Sequence, residues 1–335
     1  MKSFSIIIPC FNASDYIDIC AEHLINQTIG MENIEIIFVD DMSTDDTFTK
    51  LSSYESQYPD SIMLISTDEK LGPGGCRNAA LTYASGEYIG YCDADDWFSY
   101  DALEYLYAIA SKNAADVVEF SYENVYSHDG TEKTPTDDSI VVMDVIKRDE
   151  PFIDLDMDIL AWNKIYRRTL LTDNCIEFLT NATYEEPPFS QMVKLCMSRY
   201  IRSSRICYYY YKHEGSMSTK FWERRFDMIN AYCKFFDDTI RQGLYGENRE
   251  IVDYTFWCGC YYMPMLNMAS KDLFYSKEEY ISIQERIRTR VGNIASNRYF
   301  ESAFRNMPIL ASLSYNNIED VDMDDIKALF KQLLT

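Results

Sequence analysis

Short apolar segments alternate with amphipathic helical segments over the first 122 residues, and this alternation restricts the folds that the chain can adopt. Apolar runs typical of buried strands occupy residues 4–8, 34–39, 62–65, 88–92 and 117–122. Between the first two runs, apolar residues recur at the i, i+3, i+4, i+7 spacing of one helix face, at Ile17, Cys20, Ala21 and Leu24. Strands that are apolar on both faces and are joined by helices form right-handed βαβ units around a parallel sheet. The pattern therefore predicts an α/β domain with a mostly parallel sheet flanked by helices.

The pattern changes after residue 122. Residues 127–150 are polar and acidic and indicate a loop or hairpin, and residues 151–215 contain several aromatic and β-branched runs. Glycine and proline become rare from about residue 221, where amphipathic stretches cover residues 221–242, 249–270, 277–291 and 323–334. We therefore predict one domain over residues 1–220 and a helical C-terminal region over residues 221–335.

Composition excludes several classes of protein. The chain has 54 acidic against 31 basic residues and a formal net charge of −23, which excludes a general nucleic-acid binder and a polybasic membrane anchor. No run reaches the roughly 18 apolar residues of a membrane span, and the first run is too short for a signal peptide. The ten cysteines form no CxxC pair, so we expect reduced thiols and no Cys/His zinc site. We expect a cytoplasmic protein that could still visit a membrane surface through its substrate.

Polar segments follow three of the predicted strands, at residues 9–12, 40–45 and 93–97. Because ligands of open parallel sheets bind beyond the carboxyl ends of the strands, we expect these segments to share one edge. Asp45 and Asp46 are accounted for as helix caps, and Ser14 and Asp15 are likewise predicted to cap the first helix. Asp93, Asp95 and Asp96 repel one another unless a cation lies between them. Two carboxylates at a strand end can hold Mg²⁺ or Mn²⁺ and leave positions open for phosphate oxygens.

A glycine-rich segment at residues 71–78 precedes a helical run that ends near Ala84. Glycines before a helix let backbone N–H groups approach an anion. The segment matches neither GxxxxGK[ST] nor GxGxxG, which disfavours phosphate-loop kinases and dinucleotide dehydrogenases. Arg77 follows the turn directly and is either a ligand for an anion or a partner in a surface salt bridge.

Five motifs occur in order within about 100 residues: SIIIPxFN at residues 5–12, FVDDxSTD at 38–45, GxCRNxAL at 74–81, AxGEYI at 84–89 and DADDW at 93–97. Their order and spacing resemble family 2 inverting glycosyltransferases of the GT-A fold, and in particular those of bacterial polysaccharide synthesis. The resemblance continues through WNKIYRR at 162–168, EEPPF at 185–189 and YKHxGSMS at 211–218, so it covers about residues 3–220.

The resemblance implies a Rossmann-like domain that transfers a sugar from a nucleotide-diphosphate sugar, above all a UDP-sugar, to a saccharide or lipid-linked acceptor. Residues 1–122 would form the nucleotide-sugar-binding part and residues 123–220 the acceptor part. The implied donor-binding residues are Pro9, Phe11, Asp40, Asp41, Arg77, Asp93 and Ala94. Mn²⁺ or Mg²⁺ would be held by Asp93 and Asp95, with His213 as a further candidate.

The general base implied by the resemblance falls on Glu186, where the family usually carries Asp. The extra methylene moves the carboxylate by about a bond length, and positioning errors of ~1 Å can lower the rate strongly. Glu185 therefore stays an alternative base. In the implied reaction a carboxylate takes the proton of the acceptor hydroxyl, while a metal stabilises the leaving diphosphate.

Other interpretations follow from the same residues. The Glu186 departure leaves open a non-catalytic or weakly active protein that binds nucleotide sugars or carbohydrates on the same fold. A sugar-1-phosphate nucleotidyltransferase is disfavoured because residues 9–12 carry no glycine-rich basic signature, and a retaining transferase because a candidate base is present. Trp162 and Tyr184 are candidates for stacking on a sugar ring. A homodimer and the role of the helical region are left open.

Overall fold

In a computed structural model of the chain, the first four strands pair in parallel, as the alternating pattern predicts. β1 (Phe4–Cys10) lies between β2 (Ile34–Asp40) and β4 (Tyr88–Tyr91), and β3 (Ile62–Ser66) pairs with β2. The connections contain α1 (Ile17–Ile25), α2 (Thr47–Gln57) and α3 (Gly72–Leu81). The apolar face predicted for α1 is buried against the sheet core at all four positions, Ile17, Cys20, Ala21 and Leu24.

The structure describes residues 2–132, 139–144, 157–213, 225–304, 310 and 322–334. These residues form two compact units, one that ends at residue 213 and one that begins at residue 225. The predicted boundary after residue 220 lies outside the described residues, as does the end of the YKHxGSMS motif from residue 214.

The sheet of the first unit becomes mixed beyond β4. Its strand order is β3-β2-β1-β4-β8-β6-β9-β5, in which β8 (Lys164–Arg167) runs antiparallel to both β4 and β6 (Val117–Val125). β6 is parallel to the long β9 (Arg199–Tyr211), which also pairs antiparallel with two short strands, β5 (Trp97–Phe98) and β7 (Ile140–Asp144). The remaining helices of this unit are α4 (Ala102–Asn113), α5 (Arg168–Asp173) and α6 (Glu186–Cys196). The predicted α/β fold class is confirmed, with parallel pairing in β1–β4 and mixed pairing elsewhere.

The start of α1 differs from the prediction. Ser14 and Asp15 do not cap it, since Tyr16 is the flanking residue and its side chain makes no capping hydrogen bond to the first turn. Asp45 instead joins the two neighbouring loops, accepting from Ser14 N at 3.1 Å and from Thr47 N at 3.0 Å. Burial alone would raise the pKa of Asp45, but these hydrogen bonds lower it to about 2. The loops after β1 and β2 are thus fastened to each other.

The second unit is helical, as predicted. It contains α7 (Arg225–Arg241), α8 (Tyr245–Trp257), α9 (Met263–Ser270), α10 (Lys277–Arg288), α11 (Arg298–Phe304) and a final helix, Met323–Gln332. A π-helical turn, Cys258–Tyr262, joins α8 to α9. Pro264 follows it, and because proline has no N–H and crowds the preceding turn, a wider turn fits this position. None of the helices in the described ranges is both long and apolar enough to cross a membrane.

Candidate active site

The polar segments predicted to converge do lie at one edge of the sheet. The register pairs Cys10 with Asp40 and Ile7 with Tyr91, so Pro9 near the end of β1 lies level with Asp93 just after β4. Of the predicted donor-binding residues, Pro9 is partly exposed and Ala94 is buried in the loop after β4.

Arg77 connects two acidic residues of this edge. Its Nη2 donates to Asp93 Oδ1 at 2.8 Å and its Nη1 donates to Glu185 Oε1 at 2.9 Å. The Arg77 side chain is only 3% exposed. Burial alone would lower the pKa of the guanidinium, but the charges of Asp93 and Glu185 raise it above its usual value. The surface salt-bridge alternative is therefore wrong, because Arg77 is a buried cation shared by two carboxylates of the candidate site.

Asp41 occupies the N-terminus of α3. Its Oδ1 accepts from Leu71 N at 2.8 Å and its Oδ2 accepts from Gly72 N at 3.0 Å. The anion at this helix start is therefore a side chain of the protein itself. Gly74 has a packing role instead, since a Cβ there would overlap the carbonyl oxygen of Leu179 and crowd Glu185 Cβ at 3.0 Å.

Asp40 and Phe11 are two further residues of this edge with groups that suit a ligand. Asp40 is buried, and its Oδ1 has no hydrogen-bond partner among the described residues. Phe11 is 51% exposed, with the Lys70 ammonium over its ring. An exposed aromatic ring suits a ligand with a planar ring, and a carboxylate oxygen without a partner suits a hydrogen-bond donor.

The three carboxylates of the DADDW motif have different surroundings. Asp96 is fully buried, and its Oδ2 accepts from the Tyr208 hydroxyl at 2.8 Å while its Oδ1 accepts from Tyr211 N at 2.8 Å. Burial raises the pKa of Asp96 well above its usual value. Asp93 and Asp95 remain 33% and 30% exposed. Asp96 therefore anchors β9, and the other two carboxylates are accessible to a ligand.

All three histidines of the chain contact the segment from Asp95 to Tyr100. His213 Nε2 lies 3.0 Å from Asp95 Oδ2, and His128 Nε2 lies 3.1 Å from the Asp95 carbonyl oxygen. His23 Nδ1 lies 3.0 Å from the Phe98 carbonyl oxygen and its ring stacks on Tyr100. The sequence singled out only His213, since His128 lies in a polar segment with no motif around it.

The donor atoms at this edge fit a divalent ion with two protein ligands. Within the described part of the chain, no three or more His, Cys, Asp or Glu side chains are arranged to hold a metal ion. Asp95 and His213 lie together, while Asp93 Oδ1 is bonded to Arg77. Carboxylate and imidazole donors suit Mn²⁺, and two protein ligands leave most positions for phosphate oxygens and water. A metal here would therefore bind jointly with a phosphate-containing ligand.

The two glutamates at the start of α6, Glu185 and Glu186, differ in their hydrogen-bond partners. Glu185 is buried and bonded to Arg77. Glu186 Oε1 accepts from Ala161 N at 2.8 Å, and its other oxygen has no partner among the described residues. Burial, together with the charges of Glu185 and Asp93, raises the pKa of Glu186 to about 7 although Arg77 opposes this. A carboxylate with such a pKa and one free oxygen can accept a proton at neutral pH.

The backbone that faces Glu186 is held by buried side chains of the WNKIYRR motif. Lys164 Nζ donates to the Leu160 carbonyl at 2.7 Å, which belongs to the same peptide group as the Ala161 N–H. The Tyr166 hydroxyl donates to the Ala161 carbonyl at 3.0 Å. The sequence alone indicates no role for these two side chains, because only the folded chain brings the 160–161 peptide next to α6.

The aromatic residues of the site are mostly packed. Trp162 is only 4% exposed and stacks on Tyr208 and Tyr210, so the prediction that it stacks on a sugar is wrong. Trp97 is fully buried against Tyr209, as expected of a core residue. Tyr184 is partly exposed, and its predicted stacking stays a prediction.

Comparisons with known proteins point to one family. The family model for glycosyl transferase family 2 matches residues 5–176. The chain is 32% identical over 217 residues to the poly(ribitol-phosphate) beta-glucosyltransferase of Bacillus spizizenii, a match that covers 63% of this chain and 32% of that protein. It is 26% identical over 252 residues to the glycosyltransferase GlyG of Streptococcus pneumoniae, covering 72% of this chain and 81% of that protein.

A solved structure shares the fold. The crystal structure of S. aureus TarS 1-349 in complex with UDP-GlcNAc aligns with a TM-score of 0.74 at 22% identity, covering 100% of this chain and 91% of that chain. The first relative is much longer than this chain, which spans about a third of its length.

Proposed function

Since the chain belongs to glycosyl transferase family 2 and is a GT-A glycosyltransferase of the bacterial polysaccharide type, we propose that it transfers a sugar from a UDP-sugar, with inversion, to a hydroxyl group of an anionic polyol phosphate polymer. One observation carries this proposal. Glu186 has a free carboxylate oxygen and a pKa raised to about 7, and it lies in the same charge cluster as Arg77 and Asp93.

The donor would bind along the edge formed by β1, β2 and β4. The exposed Phe11 ring and the unpaired Asp40 oxygen suit the base and the N–H or O–H groups of a nucleoside. Asp41 would act indirectly, because its carboxylate is already engaged by the start of α3. A UDP donor is supported by the similar fold of TarS, which was crystallised in complex with UDP-GlcNAc.

The diphosphate would lie over Asp93 and Asp95. Asp95 and His213 would hold Mn²⁺ or Mg²⁺, and the bound ion would neutralise the charge that develops on the leaving nucleoside diphosphate. Asp93 would take part while Arg77 compensates its charge. Asp96 would have no direct role, because both of its oxygens are bonded to β9.

Glu186 would be the general base and Glu185 would not. The free oxygen of Glu186 takes the proton of the acceptor hydroxyl, and the hydroxyl oxygen attacks the anomeric carbon of the donor sugar. The bond from this carbon to the diphosphate oxygen breaks on the opposite face, and its electron pair leaves with the diphosphate. Glu185 is less suited to this step because its Oε1 is held by the buried Arg77. A positioned base typically contributes about 10²–10⁴-fold to the rate.

A panel of nucleotide sugars in a thermal-shift assay, with and without Mn²⁺, would identify the donor, because a bound ligand raises the apparent stability. We expect Glu186→Gln to lower turnover by about 10²-fold or more while donor binding is retained. Glu177→Gln, the same change at an exposed glutamate, is the matched control and should leave turnover unchanged.

Other outcomes would contradict parts of the proposal. Loss of donor affinity in Glu186→Gln would show that this residue is not the base. Asp95→Ala should abolish metal-dependent donor binding, and unchanged turnover in that variant would exclude the metal site. Donor binding without release of nucleoside diphosphate from the unmodified protein, at any acceptor concentration, would indicate a binding protein instead of an enzyme.

A further inference from the structure

The second unit has a basic groove on an otherwise acidic chain. A cavity of about 540 Å³ opens between α7 and α10, and four cations and two carboxylates line it: Lys234, Arg241, Arg286, Arg290, Asp237 and Asp238. The whole chain carries a net charge of −23, so a local excess of cations is unusual here. We call this cavity the basic groove.

Ion pairs within the basic groove do not neutralise its charge. Asp238 pairs with both Lys234 and Arg241, at 2.5 and 2.8 Å. Asp237 pairs with Arg290 at 3.2 Å. Arg286 donates to the Asn230 side-chain oxygen at 2.9 Å and has no carboxylate partner in the part of the chain that the structure describes. Two positive charges are therefore left over, one of them on Arg286.

A thiol lies in the same groove. Cys233 lines the cavity and lies next to the buried Cys260. A hydrogen bond with Cys260 lowers the pKa of Cys233 to about 7, and the charges of Arg290 and Arg286 act in the same direction, although burial opposes them. Cys233 is therefore a side chain whose pKa depends in part on the charges of Arg286 and Arg290.

We propose that the basic groove binds a phosphate group, with Arg286 and Arg290 as the groups that bind it. The planar guanidinium presents paired N–H donors that match two phosphate oxygens. In Arg286 one nitrogen, Nη1, donates to Asn230, and the other N–H groups of the guanidinium can bind a ligand. The cavity is larger than one phosphate, so it has room for the organic group that carries it. All of these residues belong to the second unit, and none of them is part of the proposed transfer site, so this inference does not depend on the proposed function.

The phosphate group could come from a small phosphate ester or from a phosphodiester polymer. Both sources present the same charged oxygens to Arg286 and Arg290. They differ in how tightly they bind, because neighbouring phosphates of a polymer stay near the groove after one of them dissociates. A comparison of inorganic phosphate with a short ribitol phosphate oligomer therefore separates the two sources.

The test uses Cys233 as the reporter. The full chain is alkylated with iodoacetamide at pH 7, and the rate at each cysteine is followed by peptide mass spectrometry. If a bound phosphate raises the pKa of Cys233 by one unit, the thiolate fraction falls from about a half to about a tenth, so we expect alkylation to slow about fivefold. The exposed Cys175 provides an internal control whose rate should not change. Sodium chloride at equal ionic strength controls for screening.

Two variants of equal charge change make the test specific. Arg286→Gln should lose the protection of Cys233, whereas Lys277→Gln, at an exposed position on the same helix α10, should keep it. Isothermal titration of both variants with phosphate gives a readout that does not involve the thiol. If the oligomer protects Cys233 at a lower concentration of phosphate groups than inorganic phosphate does, the groove binds a polymer. If the two probes protect Cys233 at the same concentration of phosphate groups, the groove binds a small ester. Equal protection by chloride, undiminished binding in Arg286→Gln, or no binding of either phosphate probe would overturn the proposal.

Discussion

Replacing Tyr166 by Phe tests whether the backbone at Ala161 sets the proton affinity of Glu186. The Tyr166 hydroxyl donates to the Ala161 carbonyl at 3.0 Å, and the Ala161 N–H donates to Glu186 Oε1 at 2.8 Å. The substitution removes one oxygen atom and leaves the ring, which packs against Phe189 with centroids 5.3 Å apart. The Ala161 backbone then loses one of the bonds that hold it toward Glu186.

The size of the effect follows from the bond that is lost. A buried hydrogen bond contributes about 0.5–1.5 kcal/mol net, and one pKa unit corresponds to about 1.36 kcal/mol. Because the Ala161 N–H stabilises the charged carboxylate, weakening it raises the pKa of Glu186 above its present value of about 7. We expect a rise of about 0.3–1 unit. A base must be deprotonated to act, so the acid limb of the profile of kcat/KM against pH should move to higher pH.

The assay is the release of nucleoside diphosphate across pH 5.5–9, with donor affinity measured in parallel. Tyr91→Phe is the matched control, because the buried Tyr91 hydroxyl has no hydrogen-bond partner within the described ranges and its ring lies 5.8 Å from that of Tyr166. This control should leave the acid limb in place. The Ala161 backbone does not set the pKa of Glu186 if the acid limb of the pH profile lies at the same pH in Tyr166→Phe and Tyr91→Phe. The same conclusion follows if the acid limb of Tyr166→Phe moves to lower pH.

Two further substitutions test how the site is built. Arg77→Met leaves Glu185 buried without its cation. Breaking a buried ion pair in this way should lower the free energy of unfolding by about 3–5 kcal/mol, which urea denaturation measures. A loss below about 1 kcal/mol would contradict the buried pair. Gly74→Ala places a methyl group against the Leu179 carbonyl and should lower the free energy of unfolding by about 1–3 kcal/mol in the same assay. Gly246→Ala is the control and should lower it less, because a methyl group there meets no other described atom closely. Equal losses of stability in the two variants would refute the packing argument.

The sequence predicted the parallel half of the sheet because its signals are local. Each of β1 to β4 contains an apolar run that is visible in its own residues, and the carboxyl ends of parallel strands share an edge whatever the rest of the fold does. β8 is different. Its residues Lys164–Arg167 include two cations and show no apolar alternation, and it becomes a strand only because β4 and β6 flank it. Such a strand is fixed by tertiary pairing, which no local pattern reveals.

The same limit applies within the site. The motifs predicted that acids gather at the edge, but motif spacing cannot say which way each side chain turns. Asp96 turns inward to β9, whereas its neighbour Asp95 meets His213. The sequence left Glu185 and Glu186 as alternative bases for the same reason. The proposed choice between them rests on Arg77, which lies 108 residues from Glu185 along the chain, and on the Ala161 N–H, which lies 25 residues from Glu186.

The resemblance implies an Asp at the position of Glu186, the proposed base, and these contacts bear on how a Glu would serve there. A longer side chain has one more rotatable bond, so an untethered Glu would place its carboxylate less accurately than Asp. Here the Ala161 N–H binds one carboxylate oxygen and thereby fixes the direction of the other. Lys164 holds the far side of the same peptide group and lies fully buried, next to Glu119 at 3.3 Å. The Ala161 backbone thus anchors the longer side chain, which would let a Glu serve as the proposed base, while burial raises its pKa to about 7.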